Sequence, residues 1–328
     1  MGIDPTNELD VTDLGRLDLH ASTTEVTTWR GRKALRLEGL VILPSLQLGH
    51  GRLRVQICAE GPAYPGIAFH MADALNYELA YAQPHTSGQW DAIQYDPVFH
   101  GSNTWQLYCG PAYQKAASVP MGEWFELQVD VSGCRAAVAV DEQPPLVVES
   151  LAHGQASGRV GLWTYLPAYF CDLRVVHGPS VLPAGVLATA PLQALDAWFL
   201  EGFGALPCEP GGVLSLNRYL PTSLQEAHLT RRFEVKADEP LELTFGFSDE
   251  LCLKLDDRVL FTGKNTFSGM ADRASRGYVE PGAYSVGCAV SPGVHRLSAE
   301  LKVSEGFGWG LVVALRGSGV RWLPAVLG

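Results

Sequence analysis

The sequence predicts an all-β protein built as two consecutive antiparallel β-sandwich, jelly-roll domains. Three observations carry this. Apolar and polar residues alternate with a period of two along many short stretches. A helical period of 3.6 is almost absent. The 35 glycines and 21 prolines are scattered at turn-like intervals through the chain. A period of two places one strand face on a core and the other in water, and frequent Gly and Pro supply the turns between short strands.

The alternation is clear in Leu53-Arg54-Val55-Gln56-Ile57, in Phe125-Glu126-Leu127-Gln128-Val129-Asp130-Val131 and in Leu241-Glu242-Leu243-Thr244-Phe245. Glu123-Trp124-Phe125 opens a strand with aromatic anchors for the inter-sheet core. Val131-Ser132-Gly133 reads as a turn, and Arg135 to Val140 as the returning strand of a hairpin. Gly161 allows close approach of an opposing sheet. The first block closes with Gly158 to Thr164 and Ala168 to Val175.

A chain of 328 residues suggests two domains, at roughly 100–200 residues each. The expected division is a first domain over 1–177, a Pro/Gly linker over 178–190 and a second domain over 191–328. In the second block, strands are expected over Arg231 to Val235, Leu241 to Ser248, Leu251 to Leu255, Val259 to Thr262, Val294 to Val303 and Gly310 to Leu315. Pro191 to Phe199 is the best helical candidate, for a turn or two. Asp249-Glu250 and Asp256-Asp257 read as solvated hairpin tips, and Gly263-Lys264 as a loop beside a hairpin.

Formal net charge is −11, and no cluster of Lys and Arg occurs. A nucleic-acid binder needs a basic face, so nucleic acid and anionic membrane surfaces are poor partners. The seven cysteines are widely spaced and odd in number, with no C-x-x-C pair. Buried free thiols in a reducing compartment are expected. With a polar N-terminus lacking an apolar signal core, this points to a cytoplasmic protein. The oligomeric state is not legible.

The first block resembles the concanavalin A-like, laminin-G jelly roll of lectins, glucanases and the DUF1080-type family, the 3-keto-disaccharide hydrolase group. The resemblance rests on Gly66-Ile67-Ala68-Phe69-His70, Asn76 to Tyr81, Gln94 to Val98, Trp105 to Tyr108, Glu123 to Leu127, Gly158 to Trp163 and Tyr169 to Arg174, and covers roughly residues 20–176. The second block resembles a galactose-binding-like sandwich, through Phe245 to Leu251, Leu255 to Gly263 and Glu305 to Gly310. The resemblance implies a sandwich fold and association with carbohydrates.

Sugars are bound by stacking their apolar faces on aromatic rings while planar polar side chains take the hydroxyls. The stretch 64–108 is dense in such residues. The ligand-binding candidates are His70, Asn76, Tyr77, Tyr81, Gln83, Trp90, Asp91, Gln94, Tyr95 and Trp105, on the concave face of the first domain. For any one of them taken alone, burial in the core is the commoner fate.

Glucanases of this fold carry Glu-x-Asp-x-x-Glu on one strand. No such triplet occurs here, which lowers the enzyme reading. Glu126 and Asp130 share a face, expected to be the solvated one. The expected function is therefore non-catalytic binding of a glycan or small glycoside. The alternatives are a glycoside hydrolase or lyase of the DUF1080 type, using Asp91 with His70 or His100, and an assembly protein with no sugar ligand. No catalytic residue is assigned. No zinc pattern occurs among the nine histidines, so no cofactor is expected. Calcium remains open through Asp96, Asp141 and Asp172.

Overall fold

A computed structural model describes residues 7–317 and 319–325. The fold is all-β, with antiparallel sheets forming two β-sandwich domains. By contacts the chain divides into two units. One comprises the chain up to Gly101 together with Gly110–Leu187. The other comprises Ser102–Cys109 together with Ala188–Gly328.

The first unit contains β1 (Asn7–Leu9), β2 (Asp18–Trp29), β3 (Arg32–Leu48), β4 (Gly51–Cys58), β5 (Gly66–Asp73), β6 (Asn76–Ala82), β7 (Ile93–Tyr95), β8 (Gln114–Lys115), β9 (Phe125–Ser132), β10 (Arg135–Val140), β11 (Leu146–Val148) and β12 (Gly158–His177). One hydrogen-bonded path runs β11-β10-β9-β4-β12-β5-β6-β7-β8. It folds into two layers because β12 serves both. Arg159–Trp163 pairs with β5, whereas Tyr169–His177 pairs with β4, and the register on β3 slips between Thr164 and Ala168. The β5–β8 layer then lies over the β9–β10 layer.

Between the layers sit Leu53, Val55, Ile57, Leu127, Val129 and Val131, all fully or almost fully buried. Their polar neighbours Arg52, Arg54, Glu126, Gln128 and Asp130 turn outward, as the alternation predicts. There Arg52 grips Asp130 with two hydrogen bonds (2.6 and 3.1 Å), and Arg54 donates to Gln128 (2.9 Å). Trp124 departs from expectation. It packs at the edge of a small cluster with Trp29, Cys58, Tyr169 and Cys171, and only Phe125 enters the inter-sheet core. Gly161 also differs. A Cβ there would meet Val41, Leu40 and Met71 of the neighbouring strands, so its small size serves in-sheet packing.

The second unit contains β13 (Ala197–Leu200), β14 (Gly204–Pro207), β15 (Val213–Ser215), β16 (Glu226–Val235), β17 (Glu239–Phe247), β18 (Asp249–Leu255), β19 (Arg258–Asn265), β20 (Tyr284–Val290), β21 (Gly293–Lys302), β22 (Gly310–Arg316) and β23 (Val320–Trp322). One sheet runs β14-β13-β16-β21-β18-β19, with β23 on β16, and the other runs β15-β22-β17-β20. Trp198, Phe233, Phe245, Phe247 and Trp309 fill the space between them.

Pro191 to Phe199 is not helical: a turn leads directly into β13, because Ala197 to Leu200 pairs with β14. Asp256 and Asp257 form the expected tight turn, both with positive φ (47° and 66°). Asp249 is not at a solvated tip. It is fully buried at the start of β18, and burial pushes its carboxyl up to about 7. Gly263-Lys264 is not a loop but lies within β19.

All seven cysteines are free, with Cys58, Cys171 and Cys288 buried and Cys134 exposed. Among the described residues no helix is long and apolar enough to cross a membrane, which says nothing of a β-barrel.

Candidate functional site

The face of the β5–β8 layer turned away from β4, β9 and β10 is almost wholly buried, with Tyr165 open to water at its edge, and so differs from an ordinary solvated sheet face. Register places Trp163, Gly66, Tyr81, Gln94 and Gln114 side by side on β12, β5, β6, β7 and β8. Directly paired residues share a face, so these five form one row. The next row is Ile42, Gly161, Ala68 and Leu79. Leu40, Ile42, Ala68, Met71, Tyr77, Leu79, Tyr81 and Val98 form an apolar cluster of their own. None of its members comes from β4, β9 or β10, which places the cluster on the outward side.

The floor of this face is made of small residues. A Cβ on Gly66 would lie 2.4 Å from the Ala80 carbonyl oxygen and 2.7 Å from Tyr81 Cβ. Only glycine fits, and the rings of Trp163 and Tyr81 close over it from either side, 5.8 Å apart. Tyr64 continues the group. Its ring meets Tyr81 (5.9 Å), His85 (4.9 Å) and Tyr165 (6.0 Å), each nearly edge-on. Tyr81 is buried, Tyr64, His85 and Trp163 are half-buried, and Tyr165 is 61% exposed. Edge-to-face packing of this kind fixes the orientation of the rings.

Polar groups border the rings. Gln94 and Gln114, both buried, share a hydrogen bond from Gln114 Nε2 to Gln94 Oε1 (2.7 Å). The Gln94 amide also donates to the Tyr95 carbonyl (2.8 Å). The loop 83–92 is closed by Gln83 N donating to Ala92 O (2.8 Å) and by the Gln83 side chain donating to Asp91 O. It carries half-buried Trp90 and buried Asp91. Buried polar side chains are concentrated between residues 83 and 114, among them Gln83, Thr86, Asp91, Gln94, Asp96 and Gln114. Buried polar groups beside apolar surface are typical of ligand sites. Burial, followed by the Asp96 charge, raises the Tyr77 hydroxyl above its ordinary value, so that phenol stays uncharged.

The ten sequence candidates separate into five groups. Tyr77, Tyr81 and Gln94 lie on the outward face, and Gln83, Trp90 and Asp91 on the adjoining loop. Tyr95 turns inward. Its hydroxyl donates to the Glu78 carboxylate (2.5 Å) and accepts from Ala152 N (2.7 Å). The other Glu78 oxygen accepts from His153 N (2.9 Å), so this buried carboxylate is engaged in holding the 151–153 turn.

His70 and Asn76 serve the β5–β6 hairpin. His70 has no exposed surface, a φ of 46° and a hydrogen bond to Gly49 O (3.1 Å). Burial lowers its basicity, which favours neutral imidazole. Asn76 donates to Asp73 (3.0 Å) and accepts from His100 N (3.0 Å). Trp105 stands apart from all of these. It belongs to the second unit and packs against Phe267, Tyr278 and Phe307.

Trp163 and Tyr165 are the residues that sequence reasoning assigned to scaffold or passed over. The usable signal was Gly66 opposite two aromatics in strands of matching register. For calcium, Asp141 accepts from Glu126 N (2.9 Å) and Asp172 pairs with Arg32 (3.1 Å). Among the described residues no group of three or more His, Cys, Asp or Glu side chains could hold a metal ion.

No family model matches the chain. No curated protein matches it in sequence. Solved structures similar to it include a carbohydrate-binding module from Bacillus subtilis, 14% identical over 48% of this chain and 93% of that one, with a TM-score of 0.37. A Bacillus subtilis protein of unknown function with a galectin-like fold is 9% identical over 52% and 97%, with a TM-score of 0.36. A Bacillus licheniformis beta-glucanase is 8% identical over 54% and 94%, with a TM-score of 0.34.

Proposed function

We propose that the first unit binds a carbohydrate, without transforming it, on the outer face of the β5–β8 layer. The observation that carries this reading is the ring group Tyr64, Trp163 and Tyr165 around Tyr81, standing over a floor of Gly66, Gly161 and Ala68. A pyranose or furanose ring presents an apolar face that stacks on such rings. Its hydroxyls suit planar polar groups at the border of such rings, where the bonded Gln94 and Gln114 amides fix the edge of the face. The single buried carboxylate of β6, Glu78, points the other way and is already bonded, which leaves it no role at this face. Neutral saccharides are the favoured class, since the ring group has no basic cluster beside it among the described residues.

The test is a glycan array followed by titration calorimetry on the wild-type protein and on Tyr165→Ala. A saccharide ligand with an affinity reduced about tenfold in the variant supports the reading. Absence of any saccharide binding at high protein concentration ends it.

A further inference from the structure

Ser102–Cys109 lies in the chain between β7 and β8 of the first unit, yet it belongs to the second unit. Nothing in its own sequence marks it as a linker. Its centre is Gln106, which has no exposed surface. The Gln106 backbone donates to Phe307 O (3.1 Å) and accepts from Val279 N (2.8 Å). Its side-chain nitrogen donates to Arg276 O and to Glu305 (both 3.1 Å), and its side-chain oxygen accepts from the Ser248 hydroxyl (2.7 Å). Both amide protons and the amide oxygen are therefore used.

Glycines make room for the segment. A Cβ on Gly277 would lie 2.6 Å from Gln106 Nε2, and one on Gly308 would lie 3.1 Å from Leu107 Cγ. Both glycines also have positive φ, 71° and 147°, which L side chains rarely adopt. The second unit thus contains a shaped cradle for this one stretch of chain.

The downstream end of the segment leads back to the candidate face. Gly110 N donates to Gln114 Oε1 (2.8 Å), and Gln114 Nε2 donates to Gln94 Oε1 (2.7 Å). Tyr95 N donates to Tyr113 O (2.9 Å). Both glutamines belong to the row that carries Tyr81 and Trp163.

We propose that Ser102–Cys109 is a latch: seated in its cradle, it holds β7 and β8 in register and so orders the amide end of the candidate face. Released, it would leave a two-residue β8 tethered by a long flexible loop, a segment with little local stability. The consequence for sugar affinity rests on the carbohydrate reading, whereas the ordering of β7 and β8 does not. Linkage requires that a ligand favouring ordered β7–β8 also favours the seated latch.

Hydrogen exchange on the full chain tests this. Ser248→Ala and Gln106→Ala should speed exchange of the Ile93–Tyr95 and Gln114–Lys115 amides about tenfold, with Leu53–Ile57 on β4 unchanged. Ser248→Thr keeps the hydroxyl and should keep the wild-type rates. Saccharide affinity should fall by a similar factor in Ser248→Ala. Faster exchange confined to Ser102–Cys109, or a uniform rise that includes β4, would overturn the latch. A wild-type protein that binds no saccharide would end the carbohydrate reading and leave the exchange result to decide the latch alone.

Discussion

The two outer faces of the first unit are built on opposite plans. Over β4, β9 and β10 the outward residues are Arg52, Arg54, Glu126, Gln128 and Asp130, joined by ion pairs and by hydrogen bonds of the Gln128 amide over the small side chains of Ala137 and Ala139. Over β5 to β8 the outward residues are aromatic, aliphatic or glycine, bordered by buried amides. A sheet needs only one apolar face to fold against its partner layer. The charged face satisfies that minimum, and the aromatic face exceeds it. Large apolar side chains on the second side of a sheet, buried except at Tyr165, are more than a solvated scaffold requires.

Four changes sharpen or break this contrast. The largest effect is expected at Gly66→Val, whose added side chain meets the Ala80 carbonyl. It should cost about 3 kcal/mol or more in urea unfolding, because no rearrangement of the β5–β6 ladder relieves a backbone clash. A loss below about 1 kcal/mol would show that the floor of the aromatic face is not tightly specified.

Next is Tyr95→Phe. It removes a buried donor to Glu78 and an acceptor for Ala152 N, and should cost about 1–3 kcal/mol. An unchanged midpoint would mean that the inward carboxylate is not held as described.

A third change is one of pH. Burial depresses the basicity of His70 in the folded state, so the unfolded chain binds a proton that the folded one resists. Stability should be fully present above the ordinary histidine value near 6.5 and should fall as pH drops below it toward the depressed folded value. His70→Asn should flatten that slope between pH 7 and 5, and an unaltered slope would assign it to other groups.

The smallest effect belongs to the charged face. Arg54→Ala should cost about 0–1 kcal/mol and be insensitive to saccharide, as partly exposed ion pairs contribute little.

This contrast also explains what the sequence disclosed. Leu53 to Ile57 and Phe125 to Val131 alternate because one face meets water, so their strands and facing were readable from period alone. Gly66 to Met71 and Tyr77 to Ala82 do not alternate, since both faces are buried. On the neighbouring β7, also buried throughout, the inward Tyr95 and the outward Gln94 are equally polar-tipped and cannot be told apart without register. His70 illustrates a second limit. Its positive φ beside the irregular β5–β12 pairing makes it a backbone feature, which composition does not reveal.

In the second unit, Asp249 shows the same limit at a single residue. Asp-Glu looks like a hairpin tip, yet Asp249 is drawn inside, where its carboxylate caps the Ser304 amide (3.1 Å). The placement of Trp105 depends on contacts far along the chain with Phe267, Tyr278 and Phe307, which no local pattern encodes.

The central question is which face of the first unit meets a ligand. Parallel saccharide titrations of wild type, Tyr165→Ala and Arg54→Ala decide it. Binding that weakens about tenfold in Tyr165→Ala and is unchanged in Arg54→Ala is the predicted result. Binding lost in Arg54→Ala and retained in Tyr165→Ala would place the ligand on the charged face and contradict the account.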